Sequence, residues 1–197
     1  PVKMALTYQY NKTELQRLNK QLSIRQKALP ILKNKEAALR MEVKKAKREA
    51  DLLQKQLHEK MEAAKPADPL WSEFDFDLLD VKTIKHSTQK IAGVSISVFE
   101  QIEYNAIPYS LFNQPAWFPA GMALLKEWTG MAVRRTFMMN KMTLLDQVRK
   151  KTTQKVNLYE KVQIPAFEEA VKKIKRVLED EENLAKAAQK IIKTKQL

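Results

Sequence analysis

From Leu15 to Lys60, apolar residues recur at the first and fourth places of seven consecutive heptads. The first places hold Leu15, Leu22, Leu29, Glu36, Val43, Ala50 and Leu57, and the fourth hold Leu18, Arg25, Leu32, Leu39, Ala46, Leu53 and Lys60. Eleven of these 14 residues are apolar, which is the spacing of a helix that buries one narrow stripe against a second helix. Asn11 is an N-cap with Glu14 three residues on, a capping box, and Tyr10 and Leu15 occupy the places of a hydrophobic staple. Lys65 precedes Pro66 and is driven out of the helical region. The first arm is therefore read as one helix over 11–65.

A second arm, 121–197, supplies the partner. Its only proline is Pro165 and its only interior glycine is Gly130. Phe167, Ala170, Ile174, Val177, Leu184, Ala188 and Ile191 form an apolar seam interrupted by Glu181. Upstream, Leu145, Val148, Thr152, Val156 and Tyr159 form a stripe in a different register, so the spacing predicts a stutter near Pro165. Helices of this length span roughly 75 and 105 Å, against a radius of gyration of about 16 Å for a compact chain of this size. The expected fold is mostly α: a long antiparallel two-helix coiled coil of N- and C-terminal arms, with a central insert. Pairing of that kind brings Pro30 and Pro165 to one height, where each removes a backbone hydrogen bond and tends to kink its helix.

The insert, 66–120, is acidic at net −4, between arms at +9 and +8. Val94, Ile96 and Val98 alternate with Ser95 and Ser97, and this predicts a β-hairpin over about 90–109. Gly93 reads as a bulge, and no Asn-Gly turn sets the register. Between Leu70 and Asp80, Trp71, Phe74 and Phe76 interleave with Glu73, Asp75, Asp77 and Asp80. That segment is either a cap on the rod or a docking surface.

Much chemistry is excluded. The three glycines, Gly93, Gly121 and Gly130, fit neither a phosphate loop nor a dinucleotide loop. There is no cysteine for a disulfide, a thiol nucleophile or a thiolate–zinc site. His58 and His86 are isolated. No enzyme activity, metal or cofactor is expected. No apolar run is long enough to cross a bilayer, and the first 11 residues lack the apolar core of a secretory signal. A net charge of +13 calls for acidic partners.

Three segments carry a resemblance. Asn11-Lys12-Thr13 with Leu15, Leu18 and Leu22, then Leu32-Lys33-Asn34-Lys35 and Leu39, resembles the opening of the D subunit of V-type and A-type ATPases. Val156-Asn157-Leu158-Tyr159-Glu160 before Ile164-Pro165 resembles that family's second signature, and Ile91-Ala92-Gly93-Val94 is similar to its central strand. The order and spacing match over nearly the whole chain. Lys12, Pro30 and Ala166 depart from the family's usual residues, as in a divergent bacterial branch.

The resemblance implies a non-catalytic central rotor shaft that transmits torque between a nucleotide-binding ring and an ion-translocating membrane ring. Its implied partners are catalytic and regulatory ring subunits, a small companion rotor subunit, and a funnel-shaped subunit above the membrane ring. No nucleic acid and no membrane insertion are implied. The implied location is cytoplasmic and peripheral at the inner face of the membrane, with ATP held by the ring.

On that reading the coiled-coil seam is Leu15, Leu18, Leu22, Leu29, Leu32, Leu39, Val43, Leu53, Phe167, Ile174, Val177, Leu184 and Ile191. Arg17, Lys20, Arg25, Lys27, Lys186, Lys190 and Lys193 are expected to bear on acidic loops of the ring, and Arg25 to lie level with Glu169. Trp71, Phe74, Phe76, Val94, Ile96 and Val98 are the expected surface for the other rotor parts. The competing classes are a coiled-coil adaptor or prefoldin-like chaperone, which wants exposed apolar tips, and a basic nucleic-acid-binding coiled coil.

Overall fold

A computed structural model describes residues 6–75, 78–106 and 115–195. Helix α1 spans Lys12–Ala64 and runs unbroken through Pro30. A single 3₁₀ turn, Lys65–Ala67, and a short helix, α2 (Asp68–Trp71), follow. Strands β1 (Leu79–Ile91) and β2 (Val94–Ala106) form an antiparallel hairpin. Helix α3 (Phe118–Leu158) passes through a π-turn, Tyr159–Gln163, into α4 (Ile164–Lys195). The chain divides into two compact units, residues 1–36 with 150–197, and residues 37–149.

The N-terminus of α1 is half of the expected capping box. Asn11 Oδ1 accepts the Glu14 N–H at 2.7 Å. The Glu14 carboxylate turns instead to Arg17, at 2.9 and 2.6 Å, and these bonds push the guanidinium further towards its charged form. Tyr10 is half exposed and stacks edge-on against Tyr8 at 5.7 Å. Leu6 and Tyr8, together with Leu15, cover the apolar cluster of this unit, the role the staple assigns to Tyr10.

In the first unit that cluster is Leu18, Phe167, Ala170, Val171 and Ile174, all buried. Lys12 meets Glu182 at 3.3 Å, Gln26 meets Glu168 at 3.2 Å, and Lys33 meets Glu160 at 2.6 Å. Rising numbers on α1 match falling numbers on its partner, so the arms run antiparallel. The cluster removes apolar surface from water at about 25 cal/mol per Å², while the exposed ion pairs set register and add little.

The second unit repeats the pattern. Leu39 and Leu145 are fully buried with Ile96 of β2. Lys141 meets Glu42 at 3.4 Å, and Lys60 pairs with Glu127. Ala46 and Ala50 are buried on the same face of α1, where small side chains let a neighbour approach closely.

The hairpin corrects the sequence reading. It begins at Leu79 rather than near residue 90. The end predicted for it near residue 109 lies outside the described residues. Ile91 pairs with Val94, so Ala92 and Gly93 form a two-residue turn, with φ of 49° and 80°. Both central residues lie in the left-handed region, as a type I′ turn requires. Gly93 therefore makes the turn and not a bulge. The irregularities lie between Val81 and Thr83 and between Lys85 and His86, where Lys82 and Glu100 are the extra residues.

Two expected seam residues are also corrected. Leu184 is 71% exposed and Ile191 57%. Glu182 already stands opposite Lys12, the first residue of α1. Beyond that level α4 has the heptad spacing without the opposite helix. Leu39→Ala should therefore cost about 2–5 kcal/mol and Leu184→Ala less than about 0.5 kcal/mol, as read by denaturant melts of the two variants. Equal losses would contradict this packing.

Candidate functional site

No group of three or more metal-ligating side chains exists among the described residues. No helix among them is long and apolar enough to cross a membrane. Four surfaces can be built from the residues upward.

The first is the join of α3 and α4. The Ile164 N–H reaches back to the Tyr159 carbonyl, five residues away rather than four. That widened turn is the stutter expected from the shifted stripes. It falls just before Pro165, whose ring crowds the carbonyl four residues back. Pro30 sits between Gln26 and Lys33, whose partners Glu168 and Glu160 bracket Pro165, so the two prolines are level. Arg25 lies there too. Its Nε donates to Gln163 Oε1 at 2.7 Å, its Nη1 donates to the Gln21 side chain at 2.6 Å, and its guanidinium covers Phe167 at 4.4 Å. Arg25 therefore ties the π-turn to α1. Arg25 stands close to the level of Glu169, since Gln26 meets Glu168, but its bond goes to Gln163, and Glu169 meets Lys173 at 2.9 Å.

The second surface is the basic end of the first unit. Lys20, Lys27, Lys186, Lys190 and Lys193 are exposed. Arg17 is engaged by Glu14 and Arg25 by Gln163, so neither is a freely mobile cation. Leu184, Ile191 and Ile192 stand exposed among the lysines of α4. This end is more apolar than the charge pattern suggests.

The third is a groove between α1 and α3 in the second unit, of about 610 Å³. Leu53, Gln56, Lys60, Gly130, Met131 and Arg134 line it. A Cβ built on Gly130 would meet nothing within 4 Å. By contrast, a Cβ on Gly121 would come within 2.6 Å of the Trp117 ring. Gly121 is there for close approach, whereas Gly130 leaves space open.

The fourth is the aromatic end of the insert. Phe74, Leu78, Phe118 and Met122 form a buried cluster covered by Trp71 and Trp117. Trp71 meets Phe74 and Trp117 at 5.4 Å and Trp128 at 5.6 Å. Phe74 is buried here and Ile96 is buried against Leu39 and Leu145, so neither offers the partner surface that its sequence context suggests. Trp71, Val94 and Val98 are half-buried, and Val94 covers the Ile96 cluster. Phe76 lies outside the described residues. Trp71 and Phe74 thus pack onto Trp117, Phe118 and Trp128 at the start of the second arm.

The hairpin is held along α3 by contacts that sequence spacing does not reveal. Phe99 meets Phe137 at 5.8 Å, Arg134 covers Phe99 at 5.4 Å, and the Tyr104 hydroxyl donates to the Lys126 carbonyl at 3.0 Å. Burial pushes the Tyr104 hydroxyl above its usual pKa. Lys85 and Glu103 meet across the strands at 2.5 Å, and that bond lowers the carboxyl's pKa.

The sequence matches the model of the ATP synthase D-subunit family over residues 14–194. It is similar to the D subunit of the V-type ATP synthase of Borreliella burgdorferi, at 31% identity over 93% of this chain and 92% of that one. The protein of the same name from Chlamydia pneumoniae is 29% identical over 83% and 81%. That from Chlamydia muridarum is 27% identical over 77% of each.

Two measurements check the geometry. Gly130→Ala should raise the stability by about 0.5–1 kcal/mol, since it improves helix propensity and meets no atom; a lower melting midpoint would show that the space is not open. A double-mutant cycle on Arg25→Met and Gln163→Leu should give a coupling of about 0.5–1.5 kcal/mol. Simple additivity would deny that the pair ties the arms.

Proposed function

The chain belongs to the family of ATP synthase D subunits, stalk subunits of rotary ATPases, and on that premise we propose that it is the non-catalytic shaft that carries torque through the complex. The supporting observation is the antiparallel seam. Leu18 with Ile174, and Leu39 with Leu145, are buried in their two units, with cross-arm polar pairs on either side. Two helices interlocked in this way resist twisting and bending better than either alone. Nucleotide chemistry belongs to the surrounding ring, and this chain supplies no phosphate loop.

In this reading the basic end turns within the ring of catalytic and regulatory subunits. Lys20, Lys27, Lys186, Lys190 and Lys193 face its acidic loops, and Leu184 and Ile191 bear on apolar ones. Long cations attract at a distance without locking one angle. The groove around Gly130 receives the small companion subunit. The complex stands at the cytoplasmic face of the membrane.

A pull-down from membranes of the source cell should recover nucleotide-binding ring subunits, and their absence would defeat the assignment. Replacing Lys186, Lys190 and Lys193 by Gln should slow assembly into the ring, on the order of tenfold at low salt, and flatten its salt dependence. Assembly kinetics that do not change would remove these lysines from the bearing.

A further inference from the structure

The end of α4 carries a two-sided face that stands open while the chain is outside the ring. Residues 183–194 continue the helix past the level of Lys12, where α1 begins. At 3.6 residues per turn, Leu184, Ala187, Ala188, Ile191 and Ile192 occupy an arc of about 140°. Lys186, Lys190 and Lys193 fall within about 60° on the opposite side. The apolar arc is open: Leu184 is 71% exposed, and Ile191 and Ile192 are each 57% exposed. Scattered apolar residues on a surface need no explanation, but three large ones on one arc of one helix do. Between residues 183 and 194 there is no acidic residue.

We propose that this segment is a membrane-surface helix, and that before assembly it holds the free chain on anionic lipid. A helix with an apolar face and a lysine face, too short to span, lies in the plane of the interface. Its apolar arc enters the acyl boundary while the lysines extend to the headgroups. A second copy of the chain fits less well. Two such segments would bring lysines against lysines, with no carboxylate in either to offset them. Binding to lipid and entry into the ring use the same face and are mutually exclusive. Because the lipid interaction is measured on the isolated chain, its failure is distinct from failure of the shaft assignment.

The test is co-sedimentation of the full chain with phosphatidylcholine vesicles, with and without phosphatidylserine. Binding is expected only with phosphatidylserine. Replacing Lys186, Lys190 and Lys193 by Gln should weaken it on the order of a hundredfold. The pair Leu184→Ser and Ile191→Ser should weaken it by about tenfold or more. Both sets of side chains are exposed, so an unchanged thermal melt verifies that the variants stay folded. Amide exchange should slow within residues 183–194 when phosphatidylserine vesicles are added. Equal binding to both vesicle types, no binding to either, protection confined to other residues, or full binding by the serine pair would each overturn the proposal. The last result would describe a polycation without a lipid-facing side.

Discussion

The packing of two antiparallel arms along an apolar seam is the interaction on which everything else rests. Ile174 is fully buried in one unit, and Leu39 and Leu145 in the other. A helix as long as α1 with one apolar stripe gains little by standing alone, because propensity contributes far less than burial of that stripe. The seam also supplies the frame on which the hairpin and the aromatic cap are mounted. Ile96 of β2 enters the same cluster as Leu39 and Leu145. Phe99 and Tyr104 then rest along α3.

The polar interruptions of the seam have separate explanations. Lys60 is matched by Glu127, and Glu36 by Thr153 at 3.3 Å. Arg25 does more than reach for solvent. Stacked on Phe167 and bonded to Gln163, it binds α1 to the one place where the opposite arm leaves α-helical geometry. A register shift between two apolar stripes needs an extra residue somewhere, and the π-turn beside Pro165 absorbs it. An arginine that holds that turn keeps both stripes facing α1.

The insert shows where sequence spacing loses its force. β2 is legible because one face is buried, leaving Val94, Ile96 and Val98 alternating with exposed serines. β1 has no such alternation, since nearly all of its residues are exposed and it is held mainly by backbone pairing with β2. The turn is equally hidden, because Ala92 in a left-handed conformation is an uncommon choice for a residue with a Cβ. Trp71 and Phe74 look like a docking patch in one dimension. In three they stack on Trp117 and Phe118, which come from a segment far along the chain.

Heptad spacing, caps and proline positions are local information. They are enough to establish the two arms, their antiparallel pairing and the stutter near Pro165. What lies beyond them is which parts of a repeating pattern find a partner. Ile174 and Leu184 belong to one seam of one helix, and nothing in their spacing distinguishes them. Ile174 is buried because α1 lies opposite, and Leu184 is exposed because α1 begins at Lys12. Burial is a property of what stands across the gap, and only the tertiary structure contains that.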